Sequence, residues 1–213
     1  MQPILELVYS EEVYVRALRL VKENYIPVAA NAKAIVSISS TPFCSNSETG
    51  GDSGILNCSS ILSNAPPVPD DLAARWRILW GNWIQLFEWH SNFLDRLQSA
   101  VESDPDKIPK LFIDSQARLR SIYSKYCENH RKAALIGEQY RDYFEELRLH
   151  VGDKEDVVSH LMRPVQRIMR YQLPMQEIVK HTARANCSSL PLWQKALTIM
   201  KEIPKDTQLI LET

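Results

Sequence analysis

Glycine is the residue this chain most conspicuously lacks: 6 in 213, three of them (Gly50, Gly51 and Gly54) crowded into one short stretch. Turns, bulges and phosphate-cradling loops draw on the positive φ that glycine adopts freely. Gly81, Gly137 and Gly152, all that remain, cannot build a glycine-rich nucleotide loop, a Rossmann unit or a many-turned β-sandwich. Long helices need none. The composition is otherwise that of an ordinary globular chain, 45 % apolar and 24 % charged, which excludes a collagen-like or wholly disordered chain. A net charge of −1 gives no global attraction to nucleic acid, so none is expected as a partner. No apolar run approaches the ~20 residues needed to cross a bilayer, so no transmembrane segment is expected.

The periodicity is helical from end to end, and the expected fold is all-α, an elongated bundle of long helices. Residues 3–35 read as one helix, with Leu7, Tyr14, Leu18, Val21 and Tyr25 recurring on one face. Residues 37–69 break the pattern: nine serines, three glycines and a Pro66-Pro67-Val68-Pro69 exit, with no lysine or arginine between Lys33 and Arg75. Such a segment buries too little apolar surface to order itself, and reads as a flexible insertion. Asp70 and Asp71 are suited to cap the next helix, whose stripe is Trp76, Trp80, Trp83, Phe87, His90, Leu94 and Leu97. A third region, 107–149, carries Leu111, Phe112, Leu119, Ile122, Tyr126, Tyr140, Phe144 and Leu147. A fourth runs from Lys154 to Asn186 with Pro164 and Pro174 as interruptions, and a last helix starts near Pro191. One domain over 1–213 accounts for this pattern.

Cys44, Cys58, Cys127 and Cys187 have neither CxxC spacing nor histidines placed for zinc, and no metal or other cofactor is expected. They read as reduced thiols of a cytoplasmic protein, with a Cys44–Cys58 disulfide as the alternative. No nucleophile elbow, paired-carboxylate site or HExxH sequence is present, so covalent catalysis is not expected.

Two charge placements stand out. Glu11 is surrounded at helical spacing by Leu7, Val8, Tyr14 and Val15. A carboxylate there must reach water at the rim of the stripe, be paired internally, or await a partner. Arg163, Arg167 and Arg170 recur at i, i+4 and i+7 with Gln166 beside them, and Glu177 is the only acid between 160 and 184. This ridge reads as a solvated face, as an internal salt-bridge partner, or as a surface for an acidic protein, a phosphate or a lipid head group.

With these features in view, the chain resembles the Dbl-homology domain of exchange factors for Rho-family GTPases. Glu6-Leu7-Val8-Tyr9-Ser10-Glu11 through Tyr14-Val15 and Leu18 is similar to the family's first block. Gly81-Asn82 with His90-Ser91-Asn92-Phe93 is similar to the second, and Leu161-Met162-Arg163-Pro164-Val165-Gln166-Arg167-Ile168 with Arg170-Tyr171 to the third. Within the family, 167–173, Val68-Pro69-Asp70-Asp71 and Ile203-Pro204-Lys205 resemble the RhoA-directed second exchange domain of Trio and its relatives. The resemblance implies a non-covalent exchange factor for a Rho-family GTPase, of RhoA type first and of Rac or Cdc type second, with a pleckstrin-homology domain following. An exchange-inactive helical scaffold is the rival reading.

The resemblance also implies site residues. Glu11 falls at the family's switch I contact, and Gln166 and Arg170 at its switch II contacts. Gln208 stands where the family has a late asparagine, and Lys154, Glu155 and Met162 fall at positions that discriminate between GTPases. Glu155, Pro174 and the 37–69 insertion are departures from the family pattern.

Overall fold

Leu7, Glu11, Tyr14, Val15, Leu18 and Val21 follow the 3–4 spacing of a buried helix face, and they form the inner side of α1 (Gln2–Asn24). The computed structural model describes residues 2–30 and 62–213. The insertion expected at 37–69 therefore lies outside the described residues except for 62–69, as do Cys44 and Cys58. Cys127 and Cys187 are free thiols. The expected helix over 3–35 ends earlier, because Pro27 has no N–H for another turn, and the chain bends after Asn24.

The described residues form helices and connections, with no strand. The stretch expected as one helix from Asp70 is two, α2 (Asp70–Trp80) and α3 (Trp83–Ser103). Gly81, at φ 52° and ψ −125°, and Asn82, at φ −98° and ψ 33°, make a type II′ turn between them. The turn re-registers the stripe: α3 buries Trp83, Leu86, His90, Phe93 and Leu97, while Phe87 lies at the rim beneath Lys22. Asp70 and Asp71 occupy the first turn of α2 rather than its cap, where a carboxylate still complements the helix dipole.

After a 3₁₀ turn (Pro105–Lys107) come α4 (Ile108–Asp114), α5 (Gln116–Gln139) and α6 (Arg141–Val151). Gly152, left-handed at φ 76°, ends α6 as a C-terminal cap. Asp156 caps α7 (Val157–Arg170), accepting from the Ser159 N–H at 2.7 Å. Then follow α8 (Gln172–Arg184) and α9 (Leu190–Glu212).

The core runs along the long axis of these helices. α1 packs against α3 and α8, α5 against α2, α7 and α9, and α9 also against α4 and α8. Indole N–H groups stitch the layers together: Trp83 Nε1 donates to the Leu18 carbonyl and Trp76 Nε1 to that of Ile26, each at 3.0 Å. The tryptophan stripe is thus packed core, as its spacing implies. Each such side chain removed from water contributes about 1.5–3 kcal/mol.

Candidate functional site

The surface groove with the most chemistry lies between α1 and the α7–α8 pair. Its α1 wall carries Glu6, Tyr9, Ser10 and Val13, and its other wall Arg163, Gln166, Arg170, Leu173 and Pro174, around a hollow of about 370 Å³. Tyr9 and Leu173 are 64 % and 62 % exposed and line the same cleft, one from each wall. A second hollow of about 570 Å³ shares Arg163, Gln166 and Arg170 with the first and adds Glu155 and Met162.

Glu11 is not on this surface. It is 0 % exposed and forms the centre of a buried polar network. His90 donates Nδ1–H to Glu11 Oε1 at 2.6 Å, and its Nε2 shares a hydrogen bond with the Tyr123 hydroxyl at 2.8 Å. The Tyr123 hydroxyl is in turn hydrogen-bonded to that of Tyr14 at 3.0 Å. On the other carboxylate oxygen converge Arg167 Nη2 at 2.6 Å and the Tyr171 hydroxyl at 2.5 Å. Burial, the largest influence, pushes the Glu11 carboxyl up, but the Arg167 guanidinium and then His90 and Tyr171 outweigh it and hold it at about 2. Both of its oxygens are thus engaged within the protein. Of the three settings open to this carboxylate, internal pairing is the one the structure adopts.

The arginine ridge divides in the same way. Arg167 is buried against Glu11, with its guanidinium 4.0 Å above the Tyr171 ring. Arg163 is half-buried and paired with Glu155. Arg170 points outward and makes no ion pair or hydrogen bond among the described residues, and Gln166 is exposed beside it. One cation of the three is therefore free for a partner. The exposed carboxylate across the groove is Glu6, five residues before Glu11.

The other expected residues scatter. Glu155 and Met162 join Gln166 and Arg170 at the second hollow, whereas Lys154 is exposed but lines neither hollow. The turn that carries Lys154 is fixed from below, where Tyr25 and His160 both donate to Asp153 Oδ2, at 2.7 and 2.5 Å. Gln208 lines neither hollow, and its amide donates to Glu212 at 2.8 Å within α9. Glu6, Tyr9, Ser10, Val13 and Leu173 are the groove residues the sequence reading did not single out. For α1 the signal was available: Leu5, Tyr9 and Val13 repeat every four residues, off the buried stripe.

Two adjoining hollows of mixed apolar and polar lining, with Arg170 unpaired among the described residues, make this face the candidate docking surface. No cluster of three or more potential metal ligands lies among the described residues. Among them, too, no helix is long and apolar enough to cross a membrane. The family follows from comparison with known proteins: the RhoGEF domain model matches residues 4–208, and the chain belongs to that family. It is 39 % identical over 143 residues to human Rho guanine nucleotide exchange factor 25, covering 66 % of this chain and 24 % of that protein. It is 29 % identical over 141 residues to the human proto-oncogene DBL, covering 65 % and 15 %. The chain thus spans about a quarter or less of these relatives' length. A structure of the Vav1 exchange factor superposes with a TM-score of 0.70 at 19 % identity, covering 99 % of this chain and 48 % of that one. The DH/PH domains of p115-RhoGEF give 0.66 at 15 %, covering 99 % and 54 %, so the likeness of fold extends along the whole domain.

Proposed function

We propose that this domain accelerates nucleotide release from a Rho-family GTPase by docking it in the groove between α1 and α7–α8. The observation that carries the reading is the convergence of Glu6, Gln166 and Arg170, unpaired among the described residues, with exposed Tyr9 and Leu173 on one cleft, in a chain of the RhoGEF family. The human relative at 39 % identity is named as a Rho guanine nucleotide exchange factor, and that activity is here extended to this chain.

Exchange requires tighter binding to the nucleotide-free GTPase than to the loaded one. By linkage the docked domain then weakens nucleotide binding by the same factor, about 1.4 kcal/mol of differential docking energy for each tenfold. In this reading Glu6, rather than Glu11, engages switch I, since a carboxylate must be accessible to form a charge-assisted bond with a partner. Gln166 and Arg170 engage switch II. A switch II contact from Gln208 draws on the Oε1 and second N–H that its bond to Glu212 leaves over. Tyr9 and Leu173 supply the apolar centre that such an interface needs. A preference for RhoA rests on the resemblance of 167–173 and 203–205 to a RhoA-directed branch, with Lys154, Glu155 and Met162 as the discriminating positions. A pleckstrin-homology domain after this one, as in the DH/PH structure above, belongs to the same proposal.

The test is release of a fluorescent guanine nucleotide from RhoA, Rac and Cdc-type GTPases. The reading expects acceleration, fastest with RhoA, and a loss of about tenfold or more in Glu6→Ala. Flat traces with all three GTPases from a folded protein would replace it with the scaffold reading.

A further inference from the structure

The groove's second wall is jointed. α7 stops at Arg170, α8 resumes at Gln172, and Tyr171 lies between them. Pro174 has no N–H to offer the carbonyl of Arg170, so the helical hydrogen bond that would span the joint is missing. Gln166 and Arg170 stand before the joint, and Leu173 and Pro174 after it. Tyr171 keeps helical dihedrals, φ −58° and ψ −34°, so the wall runs on as helix with that hydrogen bond absent, and the conformation held at Tyr171 sets how its polar half meets its apolar half.

A side chain holds what the backbone does not. Tyr171 is buried, and its hydroxyl donates to Glu11 Oε2 at 2.5 Å. Its ring lies under the Arg167 guanidinium at 4.0 Å and parallel to His90, with an 8° interplanar angle. Glu11 belongs to α1, whose outward side forms the opposite wall. One buried hydrogen bond thus ties the joint in one wall to the helix that makes the other. It is charge-assisted, the stronger class of hydrogen bond, and it is shielded from water.

We infer that Tyr171 is a positioning residue: its hydroxyl, held by Glu11, fixes the α7–α8 angle and thereby the placement of Arg170 and Leu173 against α1. The inference rests on the exchange reading for its consequence, and on the joint alone for its structural content.

Tyr171→Phe keeps the ring and removes only the hydroxyl, so two measurements on the whole domain separate these parts. The first is amide hydrogen exchange without any GTPase. Amides of residues 170–176 that bear an N–H are expected to exchange about tenfold faster, with α3 and α5 unchanged. A uniform acceleration, or none, overturns the inference. The second is a double-mutant cycle on nucleotide release. Arg170→Ala is expected to slow release about tenfold in the parent and less than about threefold in Tyr171→Phe, because a misplaced guanidinium has less to lose. Equal factors in both backgrounds overturn it. Tyr123→Phe, which removes another hydroxyl of the same network away from the joint, is expected to combine independently with Arg170→Ala. If the parent releases no nucleotide, the exchange reading fails and hydrogen exchange still decides the joint.

Discussion

Exchanging Glu11 for glutamine keeps the side chain's size and removes its charge, and the result distinguishes the buried Glu11 from the exposed Glu6 on α1. In the folded protein the Glu11 carboxyl is held at about 2, against an ordinary 4.5, by Arg167, His90 and Tyr171 acting against burial. At about 1.4 kcal/mol per tenfold change in acidity, that difference corresponds to roughly 3 kcal/mol of stability at neutral pH. The figure agrees with the cost of stranding one member of a buried pair, about 3–5 kcal/mol, since Arg167 would remain buried without its counter-charge. A domain of this size loses about 2–4 °C of Tm per kcal/mol, so Glu11→Gln should melt roughly 6–12 °C lower. Urea denaturation followed by far-UV circular dichroism measures the loss directly. Glu6→Ala, on the exposed side of the same helix, should stay within about 0.5 kcal/mol of the parent while its exchange activity falls. A Glu11→Gln domain as stable as the parent would refute the burial argument. Parental exchange by Glu6→Ala, together with none by a stable Glu11→Gln, would return the docking role to Glu11.

The same network sets an acid limit. A carboxyl with a depressed folded pKa contributes stability that is present above its unfolded value and lost as pH falls through the folded one, so the Glu11 contribution should disappear between pH 4.5 and about 2. Asp153 shifts in the same direction, because Tyr25 and His160 outweigh its burial, and adds to the loss below 3.8. Tryptophan fluorescence during acid titration measures this slope, which Glu11→Gln should flatten. Gly81→Ala should cost about 1–3 kcal/mol, since a Cβ at φ 52° is strained and would stand 3.1 Å from Asn129 Nδ2, which donates to the Ile78 carbonyl; urea denaturation reads that loss, and an unchanged midpoint would contradict the turn's geometry. Replacing the buried pair together, Glu11→Leu with Arg167→Met, should leave stability within a few kcal/mol of the parent or above it. Exchange by that double variant should nonetheless fall, because the Tyr171 hydroxyl loses its acceptor.

How far the sequence could be read is clearest at these charges. Helical periodicity and the shortage of glycine point to an all-helical bundle, because both are local properties that packing does not have to supply. The elbow at Gly81 needed more. Glycine is compatible with a helix interior, and only the positive φ, imposed where α2 meets α5 through Asn129, converts a long helix into two. For Glu11 the spacing already placed the side chain among Leu7, Val8, Tyr14 and Val15, which is evidence for burial. What spacing cannot supply is a partner 156 residues away in Arg167, or one 79 residues away in His90. Without that partner, an apolar-stripe carboxylate and an exposed contact for another protein look alike. The ridge stayed open for the same reason, since i, i+4, i+7 spacing gives a shared face but not which of its members turn inward. Arg167 lies at the buried edge and Arg170 at the exposed one, although both carry the same charge. The contact surface of such a domain is therefore best sought among charges and large apolar groups that the folded protein leaves unpaired. By that criterion Glu6, Arg170, Tyr9 and Leu173 qualify and Glu11 does not.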